Sequence, residues 1–310
     1  MQQHKKSQSR VAVYYELTKP KIWYLLVFTA FGASMTASNI YGVDVSPWTW
    51  ALVLLSVAAG SAAANTLTNY HDRDIDAVME RTRNRPLPSK RIHPAAKARN
   101  FGLVLAGASL ALAGAISLTT TIEQGAWAAG FIAFGLLNNV LVYSYALKRR
   151  SRTNIILGGL CGGAPPMIGW VAVTMSDLWT MGLAMAGLVF IWIPMHIWAL
   201  TLHFKEDYNR VDVPMLTAVQ SERASARAIA LSTLVMVIFS VSPFFLAAED
   251  GTAMVGPAYL WTAVASGALM IGLSAWVIAK PMERASWTLF KFSSPYLAVL
   301  FIALMVDSAL

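Results

Sequence analysis

Long apolar stretches separated by short polar connectors run through almost the whole chain. A helix needs about twenty mostly apolar residues to cross the hydrocarbon core of a membrane. Nine stretches approach that length, beginning near Ile22, Trp48, Phe101, Ala126, Asn154, Trp179, Ala228, Gly256 and Phe292. The pattern predicts an all-α membrane protein, a bundle of about nine transmembrane helices.

The basic residues fall on one side of this predicted bundle. If the helices alternate in direction, all 24 Lys and Arg lie in the amino-terminal segment or in the connectors after the second, fourth, sixth and eighth helices. The other side carries only acids, which are Asp44, Glu123, Asp177, Glu249, Asp250 and, near the carboxyl end, Asp307. Because Lys and Arg stay in the cytoplasm during insertion, we expect a cytoplasmic amino terminus and an outer carboxyl terminus, in a bacterial cell inner membrane.

Composition supports the membrane interpretation and removes others. The 310 residues are 56% hydrophobic and 13% charged, which is unlike a soluble domain. The net charge of +8 lies in the connectors, so it indicates orientation and not a nucleic-acid partner. The one cysteine, Cys161, excludes a disulfide framework. We expect a single domain over 1–310, with a cytoplasmic segment at 1–20 and polar connectors at 69–100 and 204–227 that lead to a cytoplasm-facing cleft.

The end of the second helix, NYHDRDIDAVMERTRNRPL, carries the first polar cluster. Asn65, Asn69, Asp72 and Asp76 are spaced four, three and four residues apart, which places them on one face of a helix, whereas Asp74 points elsewhere. Two carboxylates one turn apart repel each other. Mg²⁺ would relieve that repulsion, since it binds carboxylates together with substrate phosphates. The spacing therefore predicts a magnesium site.

Basic side chains follow this cluster in two connectors. Arg81 and Arg85 come directly after it, and a guanidinium matches phosphate oxygens bidentately. The fourth helix ends NNVLVYSYALKRRS, where Tyr143 shares a face that leads to Lys148. These residues are candidates to bind a diphosphate. The alternative is that the basic residues only anchor the topology.

The sixth helix, in IPMHIWALTLHFKEDY, carries the second cluster. His196 and His203 are seven residues apart and Asp207 follows four residues later, so one face of an otherwise apolar helix is polar. A single histidine in a helix is usually structural. Two on one stripe, ending in an aspartate on the same membrane side as the first cluster, favour a functional site.

These segments resemble a known family. NYHDRDIDAVMERTRNRPL is similar to the first aspartate-rich motif of the UbiA superfamily of intramembrane prenyltransferases, especially its haem O synthase branch, the protohaem IX farnesyltransferases. GGAPPMIGW, then IPMHIWALTLHFKEDY and VPML, resemble further signatures of that branch in the same order. Two departures from the superfamily are Asn69, where aspartate is frequent, and His203, which replaces the first aspartate of the second motif.

The resemblance implies farnesyl transfer from farnesyl diphosphate to a vinyl group of haem B, with water addition, giving haem O. It implies Mg²⁺ at Asp72 and Asp76. We expect a catalytic role for both aspartates and for Asn69, Lys148, His196 and His203, and substrate binding by Arg81, Arg85, Tyr143 and Asp207. Whether the histidines orient the haem iron, a propionate or water stays open. Product would pass to a haem A synthase or a terminal oxidase assembly.

Two other functions fit parts of the pattern. The same scaffold could prenylate a quinone precursor or another aromatic acceptor, but a second aspartate would be expected where His203 stands. A cation-coupled transporter would place polar groups and broken helices near the bilayer midplane. Here the acids cluster at one edge of the predicted bundle, which favours an enzyme that draws substrates from the membrane.

Overall fold

The computed structural model of the protein describes residues 9–248, 251–280 and 283–310. The start of the predicted amino-terminal segment and the outer acids Glu249 and Asp250 lie outside the described residues. Nine long helical segments occupy the described part of the chain. They are Pro20–Tyr41, Pro47–His71, Ala96–Leu118, Ile122–Leu147, Asn154–Val171, Leu178–His203, Glu222–Phe245, Pro257–Ala279 and Arg284–Asp307. We call them the first to ninth spans.

Eight of the nine spans, the second to the ninth, are both long and apolar enough to cross a membrane, judged on the described residues. The first, with 22 residues, has the length but is not among those eight. The all-α membrane fold is confirmed, and the predicted number of nine is approximate.

Several spans begin earlier than the apolar pattern predicts. The third begins at Ala96 and not near Phe101, and the seventh begins at Glu222 and not near Ala228. The reason is that the first turns carry charged residues, for example Lys97 and Arg223, which extend the helix beyond the apolar stretch. An apolar window marks only the part of a helix that fits the hydrocarbon core.

Four short helices lie in the connectors on the side of the bundle that carries the polar motifs. Arg10–Leu17 precedes the first span, and Arg73–Val78 follows the second. Lys205–Asn209 and Leu216–Val219 follow the sixth. The two motif-bearing connectors are therefore folded and not extended, which fixes the positions of their side chains.

Contacts between distant spans close the bundle around its interior. The first span packs against the second, fifth and ninth, and the sixth packs against the fifth, seventh and ninth. The fifth span is the most buried of the eight apolar spans, with 78% of its residues buried inside the protein. A Cβ at Gly169 would lie 2.1 Å from the carbonyl oxygen of Ala30, so the first and fifth spans approach at backbone distance.

The prolines of the fifth span lie at a helix start. A tight 3₁₀ turn, Gly159–Gly163, precedes the α-helix Ala164–Val171, and Pro165 and Pro166 occupy its first turn. Proline is tolerated there because the first amide groups of a helix have no intrahelical partner. Both prolines are buried, so protein surrounds this irregular backbone as non-helical structure at membrane depth requires.

Candidate active site

The two motif-bearing connectors meet at one end of the bundle. The carboxylate of Asp207 accepts hydrogen bonds from the backbone N–H groups of Glu80 and Arg81, each at 3.1 Å. The Arg81 guanidinium also reaches the Tyr208 hydroxyl at 3.4 Å and lies 5.3 Å from the centroid of the Phe204 ring. The stretches that the sequence separates by more than a hundred residues therefore form one site.

The polar face predicted on the second span is interrupted. The span ends at His71, Asp72 caps it with φ −87° and ψ 4°, and the chain continues in the short helix Arg73–Val78. The prediction of one continuous helical face is therefore wrong at this point. Even so, Asn69, Asp72 and Asp76 are all buried, because the amide of Asp76 still bonds to the carbonyl of Asp72 at 2.8 Å and keeps the helical path.

Each buried aspartate faces a cation. Lys148 forms an ion pair with Asp72 Oδ2, and Arg85 Nη1 contacts both oxygens of Asp76, at 3.0 and 2.9 Å. Burying a carboxylate without such a partner would cost several kcal/mol. The two pairs therefore allow two acids to lie side by side under the protein surface.

Two buried oxygen atoms in this group have no partner among the described residues. They are Asn69 Oδ1 and Asp72 Oδ1. The amide nitrogen of Asn69 is fixed, since it donates to the carbonyl oxygen of Leu17 at 2.7 Å, which turns Oδ1 the other way. A buried acceptor without a partner costs about 1–3 kcal/mol. The arrangement is therefore explained best if a cation or donor fills it.

The residues present fit Mg²⁺. Its preferred ligands are oxygens, and it is usually held by one or two carboxylates together with substrate phosphates and water. Asn69 and Asp72 offer the two unpartnered oxygens, while both oxygens of Asp76 are occupied by Arg85. No group of three or more His, Cys, Asp or Glu converges in the described chain, so a phosphate would have to complete the coordination.

Lys19 lies at the site, although the sequence pattern did not indicate it. It precedes the first span with a left-handed backbone, φ 54°, which is uncommon for a residue with a side chain. Removal from water, followed by the positive charge of Arg85, lowers the pKa of Lys19 to about 7, against the opposing effect of Asp76. Its charge is therefore coupled to the acid and base groups of the site. The available signal was its place before Pro20 on the motif side of the bundle.

A cleft lies inside the bundle and begins at Asn65, one helical turn from Asn69. It comprises about 540 Å³ of space, including its open mouth, and lies between the first, second, fourth and fifth spans. Its polar lining includes Asn65 and Asn139, and most of the remainder is apolar, for example Val57, Phe131 and Ile168. The network continues toward the metal-binding candidates, because Thr68 Oγ1, next to Asn69, lies 3.1 Å from Asn139 Oδ1.

Tyr143 and Lys148 lie together as expected from the fourth span. The Lys148 Nζ is 5.8 Å from the centroid of the Tyr143 ring. The last part of this span, Asn138–Leu147, is a π-helix, which adds a residue to each turn and is frequent at functional sites. The wider turn is one reason why helical periodicity alone could not assign the directions of these side chains.

Asp207 does not continue the face formed by His196 and His203. The sixth span ends at His203, Phe204 leaves the helical conformation at φ −106° and ψ 32°, and a new short helix begins at Lys205. Asp207 is turned toward the connector of the second span, and Arg210 approaches it at 3.6 Å. The predicted single stripe is therefore divided into two parts with different surroundings.

The two histidines lie in an aromatic column between the sixth and ninth spans. The ring of His203 stacks on Trp287 with centroids 4.6 Å apart, and His196 stacks on Trp192 at 4.1 Å. Phe204 joins this column to Arg81. The histidines are thus connected to Arg81, at the end of the bundle that carries the polar motifs, by a continuous series of rings.

Asp74 lies outside the site, in agreement with the helical spacing. It is 61% exposed and accepts from Arg149 at 2.8 and 2.6 Å. The hydrogen bond from Arg149 lowers the pKa of Asp74 to about 2. The pair joins the connectors after the second and fourth spans at the protein surface.

The chain belongs to the UbiA prenyltransferase family, whose model matches residues 25–303. It is a multi-pass membrane prenyltransferase. The protein called protohaem IX farnesyltransferase 2 from Cenarchaeum symbiosum is 74% identical over 308 residues, which cover 99% of both chains.

Two solved structures share the fold. A digeranylgeranylglyceryl phosphate synthase matches with a TM-score of 0.74 at 19% identity, over 96% of this chain and 98% of that one. A UbiA homologue from Archaeoglobus fulgidus, bound to GPP and Mg²⁺, matches with a TM-score of 0.59 at 14% identity, over 94% and 99%. At these identities the likeness concerns the fold alone.

Proposed function

We propose that this prenyltransferase transfers a farnesyl group from farnesyl diphosphate to a vinyl group of haem B, with addition of water, giving haem O and diphosphate. The observation that carries the choice of acceptor is the 74% identity, over 99% of both chains, to a protein called a protohaem IX farnesyltransferase. The site geometry supports the diphosphate chemistry. His203 stands where a second aspartate would be expected in a quinone-precursor enzyme, and only Asp207 remains of that pair.

The polar cluster binds the diphosphate end of the donor. Asn69 Oδ1 and Asp72 Oδ1 would hold Mg²⁺, which when bound neutralises charge that develops on the departing diphosphate. Arg85 and Lys148, which pair with Asp76 and Asp72, supply positive charge to the same group of residues. Arg81 and Lys19 extend this cationic surface. Preorganised charge of this kind is the main requirement of phosphate departure.

The apolar cleft accommodates the prenyl chain. From Asn65 to Val57 the second span descends eight residues, or about 12 Å at 1.5 Å per residue. The lining changes along that path from amides to aliphatic and aromatic side chains. A prenyl diphosphate has the same polarity, with a charged head and an apolar tail. The cleft also excludes water from the allylic carbon until the acceptor has reacted.

The reaction needs no covalent bond to the protein. Cleavage of the bond between the allylic carbon and oxygen sends the electron pair to the diphosphate and leaves an allylic cation. The terminal carbon of the haem vinyl group forms the new carbon–carbon bond, and the adjacent carbon becomes cationic. Water adds there and loses a proton, which completes the hydroxyethylfarnesyl group. The protein contributes position, charge and shielding.

The orientation follows from charge. With the site at the end of the bundle that carries the basic connectors, both the amino terminus and the diphosphate-binding end face the cytoplasm under the positive-inside rule. We place the protein in the cell inner membrane on the same ground. Delivery of the product to a haem A synthase or a terminal oxidase assembly stays a prediction.

The test supplies membranes containing the protein with haem B, Mg²⁺ and prenyl diphosphates of several lengths. We expect a farnesylated, hydrated haem, identified by mass, that disappears on chelation of Mg²⁺. Membranes with the Asp72→Asn variant serve as the control for background activity. Alkylation of a phenolic acceptor with none of haem would reassign the acceptor. Absence of any prenylated product, with Mg²⁺ transport instead, would support a transporter.

A further inference from the structure

The aromatic column between the sixth and ninth spans has an unusual degree of order. Its members are Trp192, His196, Phe290, Trp287, His203 and Phe204. Four successive contacts are close to parallel, with interplanar angles of 26°, 31°, 17° and 22° and centroids 4.1–5.1 Å apart. The column ends under Arg81 at Phe204. It therefore links the diphosphate end to the membrane interior.

The hydrogen bonds of Ser293 favour one tautomer of the His196 ring. Nδ1 of His196 lies 2.6 Å from Ser293 Oγ, and that hydroxyl lies 2.7 Å from the carbonyl oxygen of Phe290. A carbonyl can only accept, so the single hydroxyl proton goes to Phe290. Ser293 Oγ then accepts from His196, which places the imidazole proton on Nδ1 and leaves the lone pair on Nε2.

Only one edge of the His196 ring is open. Trp192 covers one face and Phe290 the other, and the Nδ1 edge is occupied by buried Ser293. The residue nevertheless keeps some accessible surface. No hydrogen bond to Nε2 occurs among the described residues. The open edge thus presents an unshared electron pair.

We propose that His196 Nε2 is the axial ligand of the haem iron in the acceptor substrate, an inference that rests on the proposed function. A metal-bound histidine normally donates its other ring N–H to a neighbouring acceptor, which fixes the tautomer and raises basicity. His196 and Ser293 already have that arrangement. A neutral imidazole is also the form that binds haem iron.

The depth of His196 suits a haem. It lies seven residues inside the end of the span, or about 10 Å below it at 1.5 Å per residue. Charged propionates are costly in hydrocarbon, so a porphyrin held there by its iron turns them toward Arg81 and the polar end.

The structural alternative is that His196 and Ser293 only hold two helices together, as polar pairs do in membranes. The two roles differ in one measurable way. Iron ligation changes the haem spectrum, whereas a helix-to-helix hydrogen bond does not. A hydrogen bond between helices would make His196 and Ser293 equally important for stability and irrelevant to the iron.

The experiment adds ferric haem B to the purified full-length protein in lipid nanodiscs without prenyl diphosphate, and records optical and electron paramagnetic resonance spectra. We expect a histidine-ligated spectrum for the wild type. His196→Gly should lose it, with affinity at least about 10-fold weaker, and added imidazole should restore it. His203→Gly is the matched control and should keep the ligated spectrum.

Ser293→Ala separates tautomer control from ligation. It retains the imidazole, so the ligated spectrum should persist with haem affinity reduced several-fold. A His196→Gly spectrum identical to that of the wild type, or loss of ligation only in His203→Gly, overturns the assignment. Product analysis keeps the two claims apart. If the wild type farnesylates haem while His196→Gly retains the ligated spectrum, only the ligand assignment is wrong. If the wild type alkylates no haem while His196→Gly loses the ligated spectrum, only the proposed function is wrong.

Discussion

The second and sixth spans end in motifs of equal spacing but different use. At the end of the second span, Asp72 and Asp76 are four residues apart, and at the end of the sixth, His203 and Asp207 are also four apart. Asp72 is paired on one oxygen and leaves the other buried without a partner. Asp207 gives both oxygens to backbone N–H groups.

This difference separates a ligand-binding role from a positioning role. An oxygen without a partner in a buried site can bind a cation at little cost, whereas one that caps backbone amides must first lose those bonds. Spacing alone does not distinguish the two. The hydrogen-bond partners of the buried oxygens differ, and they support the proposal that the second span binds metal and the sixth holds the arginine connector in place.

The largest effect is expected from Asp72→Asn. The change removes a charge from the metal-binding candidates and leaves Lys148 without its acid, so we expect turnover to fall by about 10³-fold. Product formation in membranes with matched protein content measures it. Asp74→Asn, two residues away on the exposed side, is the control. Near-normal turnover in Asp72→Asn would remove the carboxylate from the proposed site.

Asn69 allows a sharper test of the metal assignment. Asn69→Ala removes the orphaned oxygen, and we expect the Mg²⁺ concentration for half-maximal rate to rise about 10- to 100-fold. Asn69→Asp keeps an oxygen but loses the N–H group that donates to the carbonyl oxygen of Leu17. Its Mg²⁺ concentration for half-maximal rate should therefore stay near that of the wild type, while its thermal stability falls. Equal Mg²⁺ requirements in both variants and the wild type would exclude Asn69 as a ligand.

Asp207→Asn tests the positioning role directly. The amide can accept only one of the two backbone hydrogen bonds and turns an NH₂ group toward the other, which costs about 1–3 kcal/mol. We expect faster proteolysis within residues 79–91 and a KM for prenyl diphosphate raised about 3- to 10-fold. The Mg²⁺ requirement should not change. A shift as large as that of Asn69→Ala would mean that both motifs hold metal.

The smallest effect is expected from the Asp74–Arg149 pair. The pKa of Asp74 is about 2, below the usual 3.8. Ionised Asp74 therefore stabilises the folded state above pH 3.8, and this contribution is lost as the pH falls toward 2. The pair is exposed and screened, so Asp74→Asn should cost less than about 1 kcal/mol near neutral pH. Thermal unfolding at several pH values and salt concentrations measures it. A larger loss would place Asp74 in the buried site.

The sequence was sufficient for the helical class, the clustering of polar groups at one end and the grouping of Asn69, Asp72 and Asp76. Those properties depend on the length of the apolar stretches, on which connectors carry Lys and Arg, and on the periodicity of the polar residues. All three can be read along the chain. The break after His71 and the turn at Phe204 were not accessible, because a helix end inside a polar run leaves no apolar signal. The partners of Asp207 are backbone amides, which no residue pattern reveals. Lys19 was missed because its inclusion depends on the path of a connector.

The pairing of Arg85 with Asp76 and of Lys148 with Asp72 affects how this end of the protein interacts with lipid head groups. Under the proposed orientation this end of the bundle faces lipid head groups, which unpaired Arg85 and Lys148 would attract. With Asp76 and Asp72 as internal counterions, the charges of Arg85 and Lys148 are already neutralised when a single phosphodiester approaches. A diphosphate that arrives with a divalent cation offers a new partner to both members of each ion pair, since the cation can bind the aspartates and the diphosphate can bind Arg85 and Lys148. We therefore expect the site to stay open to a scarce substrate amid an excess of chemically related lipid.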